Sequence, residues 1–128
     1  MSSGQDAPTT CPDDIYEEND SQATAAFITV DWPGEETFNA VSDDADWFLL
    51  DAGDFLGFGE LHDITLTHTS GDVDLYMYDL DGNFLDSSAT FNLTEGPLTT
   101  PEGEWVYIQV VPFGSTTCEP YSLLIDSY

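Results

Sequence analysis

"GDVDLYMYDLDGNFLDSS", residues 71–88, decides the fold. Val73, Leu75 and Met77 alternate with Asp74, Tyr76 and Tyr78, the two-residue period of a strand with one face turned to a core. Asp81-Gly82 then stands between this run and "NFLDSS" (83–88), a pair suited to the positive φ of a tight hairpin. Asp79, Asp81 and Asn83 also alternate like the opening of a calcium loop. The Glu that closes such a 12-residue loop and its flanking helices are missing, so the hairpin is the better reading.

Working outward, the same pattern recurs every 8 to 12 residues. "FITV" (27–30), "ETFNAV" (36–41), "DWFLLD" (46–51), "HDITLTHT" (62–69), "PLTT" (97–100), "EWVYIQVV" (104–111) and "YSLLID" (121–126) are further predicted strands. In "EWVYIQVV", Trp105, Tyr107, Gln109 and Val111 face one way and Val106, Ile108 and Val110 the other. No apolar stripe of helical period and useful length appears, and the one candidate helical turn is "DSQATAA" (20–26). Half-buried strands without intervening helices predict an all-β, antiparallel two-sheet sandwich. Residues 1–10 are small and polar and read as a flexible leader; 11–128 form one domain. A chain of 128 residues buries about two-thirds of its unfolded surface around a single core.

The charge balance narrows the function classes. Twenty-six Asp and Glu face no Lys or Arg, a net charge of −26. Two carboxylates about 5 Å apart repel by roughly 3 kcal/mol at an effective dielectric near 20, so clustered acids need a cation, a proton or distance. The field repels nucleic acid and anionic membranes and leaves cationic surfaces as partners. Acidity that merely keeps an exported or salt-adapted protein soluble is the plainer explanation for most of these residues. No apolar run of about 20 residues is present and no export signal, so the chain is expected neither to span a membrane nor to carry its own signal peptide, which export would require to have been removed.

Cys11 and Cys118, the only cysteines, read as a disulfide between the first ordered segment and the last hairpin; two free thiols are the alternative. Such a closure would contribute about 4 to 5 kcal/mol on the chain-entropy model.

Four stretches in order, "DDIYEENDS" (13–21), "DDADWFLLDAGD" (43–54), the 71–85 hairpin and "PEGEWVYIQVVPF" (101–113), followed by "YSLLID", resemble the bacterial pre-peptidase C-terminal domain. That family is similar to the collagen-binding domains of clostridial collagenases. The resemblance implies a jelly-roll-like sandwich attached to secreted peptidases and other exported enzymes, without catalysis of its own. It also implies calcium held between the acidic N-terminal segment and the loop before "DWF", with Glu17, Asn19 and Asp20 from the first and Asp43 and Asp46 from the second. Two departures stand out: Glu18 occupies a position where relatives often carry Pro, and Ile15 replaces a further acidic ligand. Calcium suits the matching residues because it takes six to eight oxygen ligands in flexible geometry.

No catalytic set emerges. His68, Ser70 and Asp72 are close in sequence but would point apart at one strand end. His62 and His68 share a strand face about 20 Å apart, too far for one metal, and read as strand-end packing or surface residues. Trp47 and Trp105 lie within strands and are expected in the core, whereas Trp32, in "DWPGEE", is the candidate for an exposed binding surface. The expectation is a monomeric, calcium-stabilised accessory domain. It would bind a protein substrate, extracellular matrix or surface for an attached secreted enzyme, or assist that enzyme's folding and secretion. A carbohydrate-binding module and an acidic structural spacer are the rival readings.

Overall fold

The computed structural model describes residues 21–30, 34–42, 45–51, 61–90, 92–101, 104–113 and 118–128. Among these residues, nine strands follow a single 3₁₀ turn over Gln22–Thr24: β1 Ala26–Thr29, β2 Gly34–Ser42, β3 Asp46–Asp51, β4 His62–His68, β5 Asp72–Tyr78, β6 Phe84–Ser88, β7 Thr94–Thr99, β8 Val106–Phe113 and β9 Glu119–Ser127. They form a five-stranded sheet in the order β1-β3-β8-β5-β6 and a four-stranded sheet in the order β2-β9-β4-β7. The predicted sandwich is therefore observed, with one difference. β1 runs parallel to β3, pairing Ala26 with Phe48 through Thr29 with Asp51, while every other pairing is antiparallel. Parallel pairing requires a crossover between the two strands, and β2, in the opposite sheet, provides it.

Alternation builds the core. β3 buries Asp46, Phe48 and Leu50; β4 buries His62, Ile64, Leu66 and His68; β8 buries Val106, Ile108 and Val110. β9 adds Tyr121, Leu123 and Ile125. The β5 face read from sequence holds, with Val73, Leu75 and Met77 in this cluster. Removing these aliphatic and aromatic side chains from water, at about 1.5 to 3 kcal/mol each, is the main favourable contribution to folding.

The β5–β6 connection is a hairpin. The Gly82 N–H donates to the Asp79 carbonyl at 3.0 Å, and Gly82 takes φ +86. Asp79 Oδ1 accepts the N–H groups of Asp81 and Asn83, both at 2.9 Å. Those hydrogen bonds hold the Asp79 carboxyl below its usual range, the Asn83 N–H contributing most. The alternating acids thus serve the turn. β7 begins at Thr94, three residues before the predicted strand, and carries Gly96 at φ +94 beside a register shift between Ile64 and Leu66 of β4.

His62 and His68 are buried at the two ends of β4, consistent with a packing role. His62 is held below the ordinary imidazole range by burial, against an opposing pull from Asp51. Among the described residues no cysteine is free, and Cys118 stands immediately before β9 with φ +53. Cys11, the expected partner, lies outside the described residues, as does the 1–10 leader. No helix among the described residues is long and apolar enough to cross a membrane.

Candidate binding face

The outer face of the five-stranded sheet carries an aromatic array set by strand register. Phe27 pairs with Leu49, Leu49 with Tyr107, Tyr107 with Tyr78, and Tyr78 with Phe84. One row of apolar and aromatic side chains therefore crosses all five strands, a width of about 19 Å at the usual strand spacing. A second row sets Trp47 opposite Gln109 and Gln109 opposite Tyr76.

These rings touch one another. Trp47 lies 5.3 Å from Tyr78 and 6.3 Å from Tyr107, Tyr78 lies 6.1 Å from Phe84, and Phe27 lies 5.6 Å from Trp105 between ring centroids. The Tyr78 hydroxyl donates to Gln109 Oε1 at 3.0 Å, fixing the ring on the sheet. Each aromatic pair adds about 0.5 to 1.5 kcal/mol beyond the area it buries. The ends of the row stay open to solvent, with Phe27 54% and Phe84 59% exposed. Exposed aromatic ends joined by a half-buried apolar row make this face the candidate interaction site.

The rim is acidic. A recess of about 390 Å³ next to the array is lined by Asp79, Leu80, Asp81, Glu104 and Trp105. Tyr76 is pushed above the usual phenol range, first by burial and then by Asp74, Tyr78 and Asp72. Aromatic faces beside carboxylates and no basic side chain suit a partner that brings its own cations, through charge attraction and cation–π contact.

The sequence expectation for the tryptophans needs correction. Trp47 and Trp105 do not fill the core: Trp47 sits half-buried on the outer face and Trp105 is 36% exposed. Each neighbours the inward position, Phe48 and Val106, which are fully buried. Trp32, the expected surface residue, lies outside the described residues.

Of the expected calcium ligands, Glu17, Asn19, Asp20 and Asp43 lie outside the described residues. Asp46 is described: it is fully buried at the head of β3, and its Oδ2 accepts a hydrogen bond from the Tyr121 hydroxyl at 2.7 Å. Ser70 Oγ donates to Glu119 Oε1 at 2.8 Å, and His68 Nδ1 meets the Ser70 carbonyl at 2.9 Å, so these two side chains do not form a nucleophile and base pair.

No protein-family model matches the chain, and no curated protein matches it significantly. Solved structures do. A Bacillus anthracis collagenase pre-peptidase C-terminal domain aligns with TM-score 0.61 and 12% identity, covering 80% of this chain and 94% of that one. PliG from Aeromonas hydrophila, a periplasmic inhibitor of g-type lysozyme, aligns with TM-score 0.52 and 12% identity, covering 81% and 97%. The chain shares the β-sandwich fold of the pre-peptidase C-terminal domain, as its sequence resemblance implied.

Proposed function

We propose that this chain is a non-catalytic accessory domain of a secreted protein, which docks a protein or extracellular-matrix surface through the outer face of β1-β3-β8-β5-β6. The aromatic row Phe27, Leu49, Tyr107, Tyr78 and Phe84 carries the proposal, because register alone assembles it and both ends face solvent. The shared fold with a collagenase pre-peptidase C-terminal domain supports attachment to an exported enzyme. The carbohydrate reading is less favoured on ring geometry. Interplanar angles of 34°, 80° and 73° along Trp47, Tyr107, Tyr78 and Phe84 tilt the rings across one another, whereas a sugar ring stacks best on one broad flat platform.

Calcium belongs to this reading as a stabiliser, held by Glu17, Asn19, Asp20, Asp43 and Asp46, with the Cys11–Cys118 disulfide closing the same chain. At millimolar calcium, a site with a dissociation constant of about 10 µM adds roughly 2.7 kcal/mol to stability. Calcium should raise the melting temperature more than sodium chloride of equal ionic strength, and identical shifts in the two salts would remove the site.

The binding test is surface plasmon resonance on immobilised fibrous and globular matrix proteins, with pull-down on insoluble glycans in parallel. A Phe27→Ala, Phe84→Ala, Trp105→Ala triple variant, checked for native circular dichroism, should lose at least about 30-fold in affinity if these rings include a hot spot. Unchanged protein binding, or glycan binding in place of protein binding, would overturn the proposal.

A further inference from the structure

A second concentration of chemistry lies where the two sheets meet, at the edge of the binding face and outside the loops assigned to calcium above. Asp72 and Asp74 share one parity on β5, in the five-stranded sheet, and Glu95 reaches them from β7, in the four-stranded sheet. Each offers a carboxylate oxygen, and the three lie within 4.8 Å of one another. Glu95 is fully buried and Asp74 is 5% exposed. The chain has no Lys or Arg to balance them.

Glu95 is preset. Ser88 Oγ donates to its Oε1 at 2.6 Å, and the Thr90 N–H and hydroxyl donate to its Oε2 at 3.2 and 2.7 Å. The Gly96 N–H occupies an acceptor position of Ser88 Oγ at 2.9 Å, which directs the hydroxyl hydrogen at Glu95.

Two buried polar atoms beside them have no hydrogen-bond partner. Asp74 Oδ1 accepts no hydrogen bond. His68, 3% exposed, places Nδ1 2.9 Å from the Ser70 carbonyl oxygen. A carbonyl only accepts, so Nδ1 carries a hydrogen there. Nε2 has no hydrogen-bond partner either. An unpartnered buried carboxylate oxygen in a cluster of three acids calls for a cation or a proton.

We infer that Asp72, Asp74 and Glu95 form a site for a calcium-like divalent cation that fastens β5 of one sheet to β7 of the other. The donor set is all oxygen and hard, which favours calcium or manganese over zinc. Oxygens around one calcium at 2.3–2.6 Å can stand up to about 5 Å apart, so the observed spacing admits a single ion.

The test follows the side-chain carboxyl carbons of the ¹³C-labelled full chain by NMR during a calcium chloride titration at constant ionic strength and pH 8. The Asp72, Asp74 and Glu95 resonances should shift together and saturate below about 10 mM, beyond the weakest extracellular calcium sites. Trace manganese should broaden the same three. Carboxyl carbons that stay still throughout would overturn the inference and assign the cluster to a shared proton. Resonances of Glu17, Asp20 and Asp43 report the loop site in the same spectra, so either site can fail alone. Glu95→Gln should weaken the Asp72 and Asp74 response at least 10-fold and leave the loop response unchanged; an unaltered response would also overturn it. The wild-type titration decides the matter even if that variant does not fold.

Discussion

Replacing Glu119 by Gln should destabilise the fold by an amount that depends on pH in a defined window. Glu119 begins β9, is 6% exposed and receives four hydrogen bonds from the β4–β5 turn. The Thr69 N–H donates to Oε2 at 2.6 Å, the Thr69 hydroxyl at 2.9 Å and the Ser70 N–H at 2.9 Å, while Ser70 Oγ donates to Oε1 at 2.8 Å. Burial alone would raise this carboxyl. The Ser70 and Thr69 hydrogen bonds outweigh it and hold the group at about 2, against an ordinary value of 4.5. A shift of that size corresponds to about 3 kcal/mol, which solvent screening beside an open turn reduces to about 2 kcal/mol. Because the folded value is depressed, this stability is present above pH 4.5 and is lost as pH falls through 2. Glu119→Gln also turns an N–H₂ group toward donors, leaving up to two of them without an acceptor. We expect a loss of 2 to 4 kcal/mol at pH 7, a fall in melting temperature of roughly 6 to 15 °C for a chain of this length, shrinking towards pH 2. Urea unfolding followed by tryptophan fluorescence between pH 2 and 7 measures it. A difference below about 0.5 kcal/mol at pH 7, or one that stays constant across that range, would refute the assignment.

Other substitutions probe separate parts of the sandwich. Gly96→Ala places a Cβ 2.6 Å from the Ile64 carbonyl oxygen at φ +94, a clash with backbone that should cost about 2 to 4 kcal/mol in chemical denaturation. Phe48→Ala removes a fully buried ring from β3 and should cost about 3 to 5 kcal/mol, with an unchanged denaturant slope showing that the fold survives. Tyr121→Phe deletes the hydroxyl that donates to buried Asp46 and should cost about 1 to 3 kcal/mol by thermal unfolding, more than the same change at half-buried Tyr107.

Strands were legible because their alternation is strong. "DWFLLD" coincides with β3, and the two faces of β5 and β8 are those that Val73, Leu75, Val106 and Ile108 mark. Pairing was not legible, since the choice of β1 beside β3 depends on a crossover and not on either strand's composition. The start of β7 was hidden by Thr94-Glu95-Gly96, whose turn-like residues sit at a bulged edge. The aromatic row was hidden for a related reason. Phe27, Leu49, Tyr107, Tyr78 and Phe84 come from five separate segments and align only once every register is set. Expecting Trp47 and Trp105 in the core because they lie in strand-like runs overlooked that their parity opposes that of Phe48 and Val106. Asp74 shows the converse: its parity pointed outward, yet Glu95 from the other sheet helps enclose it.

A chain without basic side chains must settle its buried carboxylates by other means, and the strand ends show how. Glu119 is met by backbone N–H groups and hydroxyls of Thr69 and Ser70, Glu95 by Ser88 and Thr90, and Asp46 by the Tyr121 phenol. Such donors stabilise the charged form without the rotamer cost of a long cationic side chain, and several come from the rigid backbone of turns. Asp63 follows the same rule at the surface, accepting the hydroxyls of Thr99 at 2.6 Å and Tyr128 at 3.1 Å. This explains the many Ser and Thr around the acids better than solubility does, since solubility would not require them at hydrogen-bonding distance. The supply runs short at Asp74, where the Oδ1 atom finds no donor and two further carboxylates crowd in. Where hydrogen-bond donors cease to match buried negative charge, a cation or a shared proton must complete the balance, and with the inferred ion bound that edge of the sandwich is a second place, beside the loop site, where stability responds to divalent ions.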